Sequence, residues 1–208
     1  MLFSENLLNY ITSNEWREYM KKQIVFMNSK SNTTNEDASY YSCLSNSMFF
    51  NVEDKEEGDK IWTMLHEYGH YISYNAFNSK GHICNTLTII FEKEVSKKNI
   101  RNQKQGLKFL YNLKEELYST YELDLIYPMA RTLSPISDGL GMCLNASYIQ
   151  YGFRGHNEGY STLHLGTELF AELFAMTVMG DNIGLSIFKR EFPKTFYYAN
   201  EKINSLRK

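Results

Sequence analysis

Apolar residues recur at helical spacing near the start of the chain, where Leu7, Leu8, Ile11, Trp16 and Tyr19 predict a helix over residues 5–27. Asn28 to Ala38 (NSKSNTTNEDA) is polar and aperiodic, which predicts a mobile loop. Tyr40 to Val52 (YYSCLSNSMFFNV) is dense in aromatics and suits one or two short strands. Glu53 to Gly58 reads as a charged turn, with Asp59 as N-cap of the next helix. That helix, Lys60 to Phe77, carries the strongest pattern: Ile61, Leu65, Tyr68 and Ile72 step by four and three residues and define a buried face. Gly81 breaks it. A long amphipathic helix is predicted over 101–126 on Leu107, Leu110, Leu113, Leu117 and Tyr121, with Pro128 and Pro135 bracketing its exit. Residues 136–160 hold five of the twelve glycines and read as loop with a short hairpin. Thr167 to Met179 predicts another helix, and Pro193 opens a last one that runs to Leu206. The expected class is α+β, mainly helical with a small sheet.

Composition narrows this picture. A chain of 208 residues with 43% hydrophobic residues can bury one core without disulfides. One domain is therefore expected over 1–208, with a sheet edge and helix at 39–80, an insertion at 100–160, and two further helices at 161–208. Sixteen tyrosines predict many half-buried rings with a hydroxyl reaching a polar partner. The net charge of -2 gives no case for nucleic acid, and no long uncharged apolar run predicts a membrane span. Cys43, Cys84 and Cys143 form no metal-binding pair and leave an odd thiol, so a reducing, cytoplasmic compartment is expected. Met1 to Lys22 lacks the basic start and unbroken apolar stretch of a signal peptide, although secretion within a longer protein is the alternative.

Candidate chemistry lies in the strongest helix. Met64 to Ile72 reads MLHEYGHYI. Residues four apart stack on one helical face, so His66 and His70 can offer two imidazole nitrogens to one ion. Zinc accepts such ligands and keeps a position for water, and Glu67 is suitably placed to take that water's proton. Ser73 and Ala76 stand where a glycine and a third histidine would extend the pattern, which excludes the metzincin arrangement. A third ligand must come from elsewhere. His82, His156 and His164 are the remaining histidines. The favoured donor is Glu168, one turn before Glu172 in the apolar run TELFAELFAMTVM, because carboxylates buried there need a partner. Glu172 would then accept the N–H of His66 or His70 and fix its orientation.

The pair of motifs HEYGH and ELFAELFA resembles the catalytic domain of the anthrax lethal factor family, including the clostridial Pro-Pro endopeptidases. Those proteins carry H-E-x-x-H and then E-F-F-A-E-x-F. Phe192 to Ile203 (FPKTFYYANEKI) is similar to a segment near the end of that domain. The resemblance covers residues 60–77 and 160–203. It implies a zincin-like fold of gluzincin type with an active-site helix and a second ligand-bearing helix, and Glu168 as zinc ligand. It also implies a tyrosine shortly before that ligand to steady the oxyanion, here Tyr160, one residue further from Glu168 than the family's spacing. A second departure is larger. Glu168 follows His70 by 98 positions, a longer interval than in that family. The stretch ISDGLG…YGFRGHNEGY is instead similar to metallopeptidase-like domains of phage minor head proteins, which would make the chain virion-associated and His156 a substrate-facing or structural residue.

The leading expectation is a zinc endopeptidase acting on a peptide or protein, with a strand around Ser47 to Val52 as the edge along which substrate extends. The alternatives are a structural or interaction domain of a phage or mobile-element protein that keeps a zinc site with little activity, and a metal-dependent hydrolase of a non-peptide bond.

Overall fold

Leu165–Met179 is apolar nearly all round, Glu168 and Glu172 apart, and a helix of that kind is stable only when other elements surround it. In the computed structural model, which describes residues 5–36, 39–51, 57–76, 82–121, 126–144 and 164–207, it is the central element. A 3-10 helix at Glu5–Tyr10 is followed by α1 (Asn14–Ser29), β1 (Ser31–Thr33), β2 (Tyr40–Ser42), β3 (Ser47–Phe50) and α2 (Glu57–Asn75). Then come α3 (His82–Lys97), α4 (Gln103–Tyr121), α5 (Ile126–Cys143), α6 (Leu165–Met179), α7 (Asn182–Glu191) and α8 (Pro193–Ser205). Helices α2, α3, α5, α7 and α8 all pack on α6, and twelve of its fifteen residues are buried. The molecule is thus mainly helical with a small sheet. No helix among the described residues is long and apolar enough to cross a membrane.

Local chemistry explains where the elements start and stop. The Ser13 hydroxyl accepts the Trp16 N–H at 3.4 Å and starts α1 at Asn14, so the single helix expected over 5–27 is divided in two. Gly180 closes α6 at φ 77°, a conformation that favours glycine. Asp181 caps α7 by accepting the Gly184 N–H at 2.9 Å. The N-terminus of α8 is capped from another element: the Glu94 carboxylate, on α3, accepts from Lys194 N, Thr195 N and Thr195 Oγ1 at 2.9, 2.9 and 2.7 Å.

The sheet has the order β1-β3-β2, with β1 parallel and β2 antiparallel to β3. The strand at Ser47–Phe50 is therefore central, and the expectation that it forms the edge is corrected: β2 holds the edge beside α2. Asn46, at φ 50°, turns the chain between β2 and β3. Its Oδ1 accepts from Tyr41 Oη at 2.7 Å and from Asn75 Nδ2 at 3.0 Å, which fastens this hairpin to the end of α2.

Other expectations also change. Part of the polar stretch 28–38 is strand β1, because its pairing with β3 needs only backbone groups. Asp59 lies inside α2 rather than at its cap, and its carbonyl accepts from Thr63 Oγ1. Pro135 sits within α5, which continues to Cys143 through residues expected to be loop. Gly139 is there for contact: a Cβ would stand 2.7 Å from the Phe91 ring and 3.0 Å from Leu169. Helices α3 and α7 are not predicted by the hydrophobic pattern, and the part of the 136–160 stretch beyond Leu144 lies outside the described residues.

Candidate metal centre

The site forms where α2 crosses α6. Gly69 allows that crossing to be unusually close: a Cβ there would lie 2.7 Å from Ala171 Cα and 3.2 Å from Ala171 Cβ. His66 and His70 flank Gly69 on α2, and Glu168 stands one turn before Ala171 on α6, so the close approach brings the three side chains together. His66 Nε2 and His70 Nε2 are 3.0 Å apart. Glu168 Oε2 is 3.3 Å from His66 Nε2, and Glu168 Oε1 is 3.4 Å from His70 Nε2. Among the described residues these three form the one cluster whose donor atoms converge as a metal site requires.

The separations are ones at which the three groups could hold a metal ion such as zinc. Zinc held at about 2.0–2.1 Å in a tetrahedron has ligand–ligand edges of about 3.3 Å. Two imidazole nitrogens and a carboxylate also match its preferred donors. Behind them, Glu172 Oε1 faces His66 Nδ1 at 3.4 Å, and Ser134 on α5 works to lower the Glu172 pKa against the burial that raises it. His66 thus has one nitrogen toward the centre and the other toward an orienting carboxylate.

Electrostatics agree with the geometry. Burial works to lower the His66 pKa, but Glu168, Glu172 and Glu67 outweigh it and push the imidazole up to about 10. The surrounding carboxylates thus favour positive charge at the His66 position, where a cation would sit. Burial raises Glu67, against the pull of His66, His70 and the Tyr41 backbone N–H. Burial likewise raises Glu172.

Of the other residues singled out in the sequence, His164 occupies the N-cap position of α6, exposed and outside the cluster. His82 opens α3. Tyr160 and His156 lie outside the described residues. Sequence reasoning did not find Gly69, Ser134 or Tyr41. Gly69 carried a signal, since a glycine between the two histidines of an otherwise bulky helix marks a close backbone approach. Ser134 carried none.

No protein-family model matches the chain, and neither does any curated protein or solved structure.

Proposed function

We propose that the chain is a zinc-dependent endopeptidase of gluzincin type with a zincin-like fold. The reading rests on one observation: His66 Nε2, His70 Nε2 and the Glu168 carboxylate converge at tetrahedral-edge distances, close enough to the buried Glu67 to act on its charge. His66, His70 and Glu168 hold the ion, and Glu172 orients His66. Zinc in such a set lowers the pKa of a water from about 15.7 to about 7 and polarises a carbonyl.

The protein's own groups do the rest. Glu67 takes a proton from the water as its oxygen adds to the scissile carbonyl carbon. It then delivers that proton to the amine nitrogen as the C–N bond breaks. A carboxyl whose pKa is raised by burial suits both halves of that exchange. Tyr160 is the proposed oxyanion donor. The substrate is a peptide or protein laid along the β2 edge beside α2, and the protein works in the cytoplasm or in association with a virion.

Metal analysis of the purified chain by mass spectrometry tests the reading, with Glu168→Ala and Glu67→Gln in parallel. Wild type should retain about one zinc, Glu168→Ala should lose it, and Glu67→Gln should keep the metal but fail to cleave a peptide library that wild type cleaves. Zinc retained by Glu168→Ala would move the third ligand elsewhere. Zinc-loaded wild type that cleaves nothing in the library would favour the interaction-domain alternative.

A further inference from the structure

We propose that Thr88, on α3, is a positioning residue for the third metal ligand, capping the first turn of α6 from another helix. The inference rests on the zinc reading of the site. His164 occupies the N-cap position but has helical dihedrals (φ -101°, ψ -4°) and makes no side-chain cap bond. An N-cap residue ordinarily adopts an extended conformation and accepts a first-turn N–H with its side chain. Here the first-turn N–H of Gly166 donates to Thr88 Oγ1 at 3.0 Å. The same hydroxyl donates to the Cys84 carbonyl at 3.0 Å. A hydroxyl has one donor and two acceptor positions, so it satisfies both groups at once.

Packing at this junction is equally tight. A Cβ on Gly166 would lie 1.7 Å from Cys84 O and 2.5 Å from its carbonyl carbon, so the two backbones are in direct contact. Glu168 follows Gly166 by two residues in the same turn and is buried. Both the axial position and the rotation of this turn are therefore constrained by α3. Rotation matters because side-chain tips lie roughly 5–6 Å from a helix axis, so a turn of about 10° moves a carboxylate by about 1 Å. Metal–ligand distances tolerate about 0.2 Å. The cap thus acts together with the Gly69–Ala171 crossing to hold the Glu168 oxygens at 3.3 and 3.4 Å from the two histidines.

The test compares Thr88→Val, which keeps the shape and removes the oxygen, with Thr88→Ser, which keeps the oxygen. Each full-length variant is measured for zinc affinity by chelator competition, for the visible absorption of bound Co2+, and for amide exchange at Gly166 and Glu168 without metal. Thr88→Val should bind zinc about 10-fold more weakly, with an altered cobalt spectrum and faster exchange at both amides, while Thr88→Ser should behave as wild type. If Thr88→Val does not fold, Thr88→Ala against Thr88→Ser decides by the same three readouts. Unchanged zinc affinity and cobalt spectrum in a variant that only melts earlier would overturn the positioning role. Wild type that binds neither zinc nor cobalt would refute the zinc reading, and the exchange rates would still report whether Thr88 caps α6.

Discussion

Gly69→Ala tests how closely the two ligand-bearing helices must approach. Locally the change favours α2, since alanine is better than glycine in a helix interior by about 0.8–1.0 kcal/mol. Against this, the new Cβ would stand 2.7 Å from Ala171 Cα and 3.2 Å from Ala171 O. Carbon pairs prefer about 3.5–4.0 Å, so the helices must part by about 1 Å. Overpacking of this kind costs about 1–3 kcal/mol, which exceeds the propensity gain over most of its range. Ala171 is one turn beyond Glu168, so the separation opens the 3.3 and 3.4 Å spacings to His66 and His70 by a comparable amount. Zinc affinity measured by chelator competition should fall at least about 10-fold. In EDTA the melting temperature should fall by a few degrees, at about 2–4 °C per kcal/mol for a chain of this size. Adding Ala171→Gly should restore little, because the nearest atom is the Ala171 Cα, which glycine retains. Wild-type zinc affinity in Gly69→Ala would refute the argument that this crossing sets the ligand spacing.

Protons should accompany the metal. His66 is raised to about 10, so zinc uptake at pH 8 should release at least about one proton, measurable by calorimetry in buffers of different ionisation enthalpy; zero release would contradict the shift. The raised pKa also means that the His66 contribution to metal-free stability is fully present below about 6.5 and is lost as pH rises through about 10, so apo melting temperatures should decline over that window, and a His66→Gln variant should lose that component of the decline. Glu172→Gln should retain the fold while weakening zinc binding about 10-fold or more, because His66 Nδ1 loses its charged partner; equal affinity would deny Glu172 its orienting role. Glu94→Ala should destabilise the protein by about 2–4 kcal/mol in denaturant titration, since two backbone N–H groups of α8 lose their acceptor, while zinc affinity stays near wild type; a loss of zinc would show that the cap and the metal site are linked.

The facing pair His66 and His70 was legible because helical spacing alone decides which side chains share a face. Glu168 and Glu172 were legible for a thermodynamic reason: two carboxylates in an apolar helix stand out as costs that something must offset. What escaped was information held between elements. Gly139 reads as a loop residue in isolation, and its place in α5 follows only from the Phe91 and Leu169 side chains pressed against it. Helix α3 was hidden behind Gly81, although Cys84, Leu87, Phe91 and Val95 make a buried stripe at helical steps. The sheet order was not readable either, because β1 is polar and pairs with β3 through its backbone. Among the residues that build the site, Ser134 could be found only once α5 was seen beside α6.

The central position of α6 has a consequence for synthesis. Its residues, 165–179, leave the ribosome after those of α2, α3 and α5, which all pack on it. Until then Leu65, Phe91, Leu140 and their neighbours lack the surface that covers them in the finished protein. Domains are made at about 5–20 residues per second, so this interval lasts seconds, and apolar faces exposed for that long invite aggregation. Nascent chains arrested before Leu165 should therefore depend on chaperones, whereas chains extended past Ser205 should become resistant to protease in a single step.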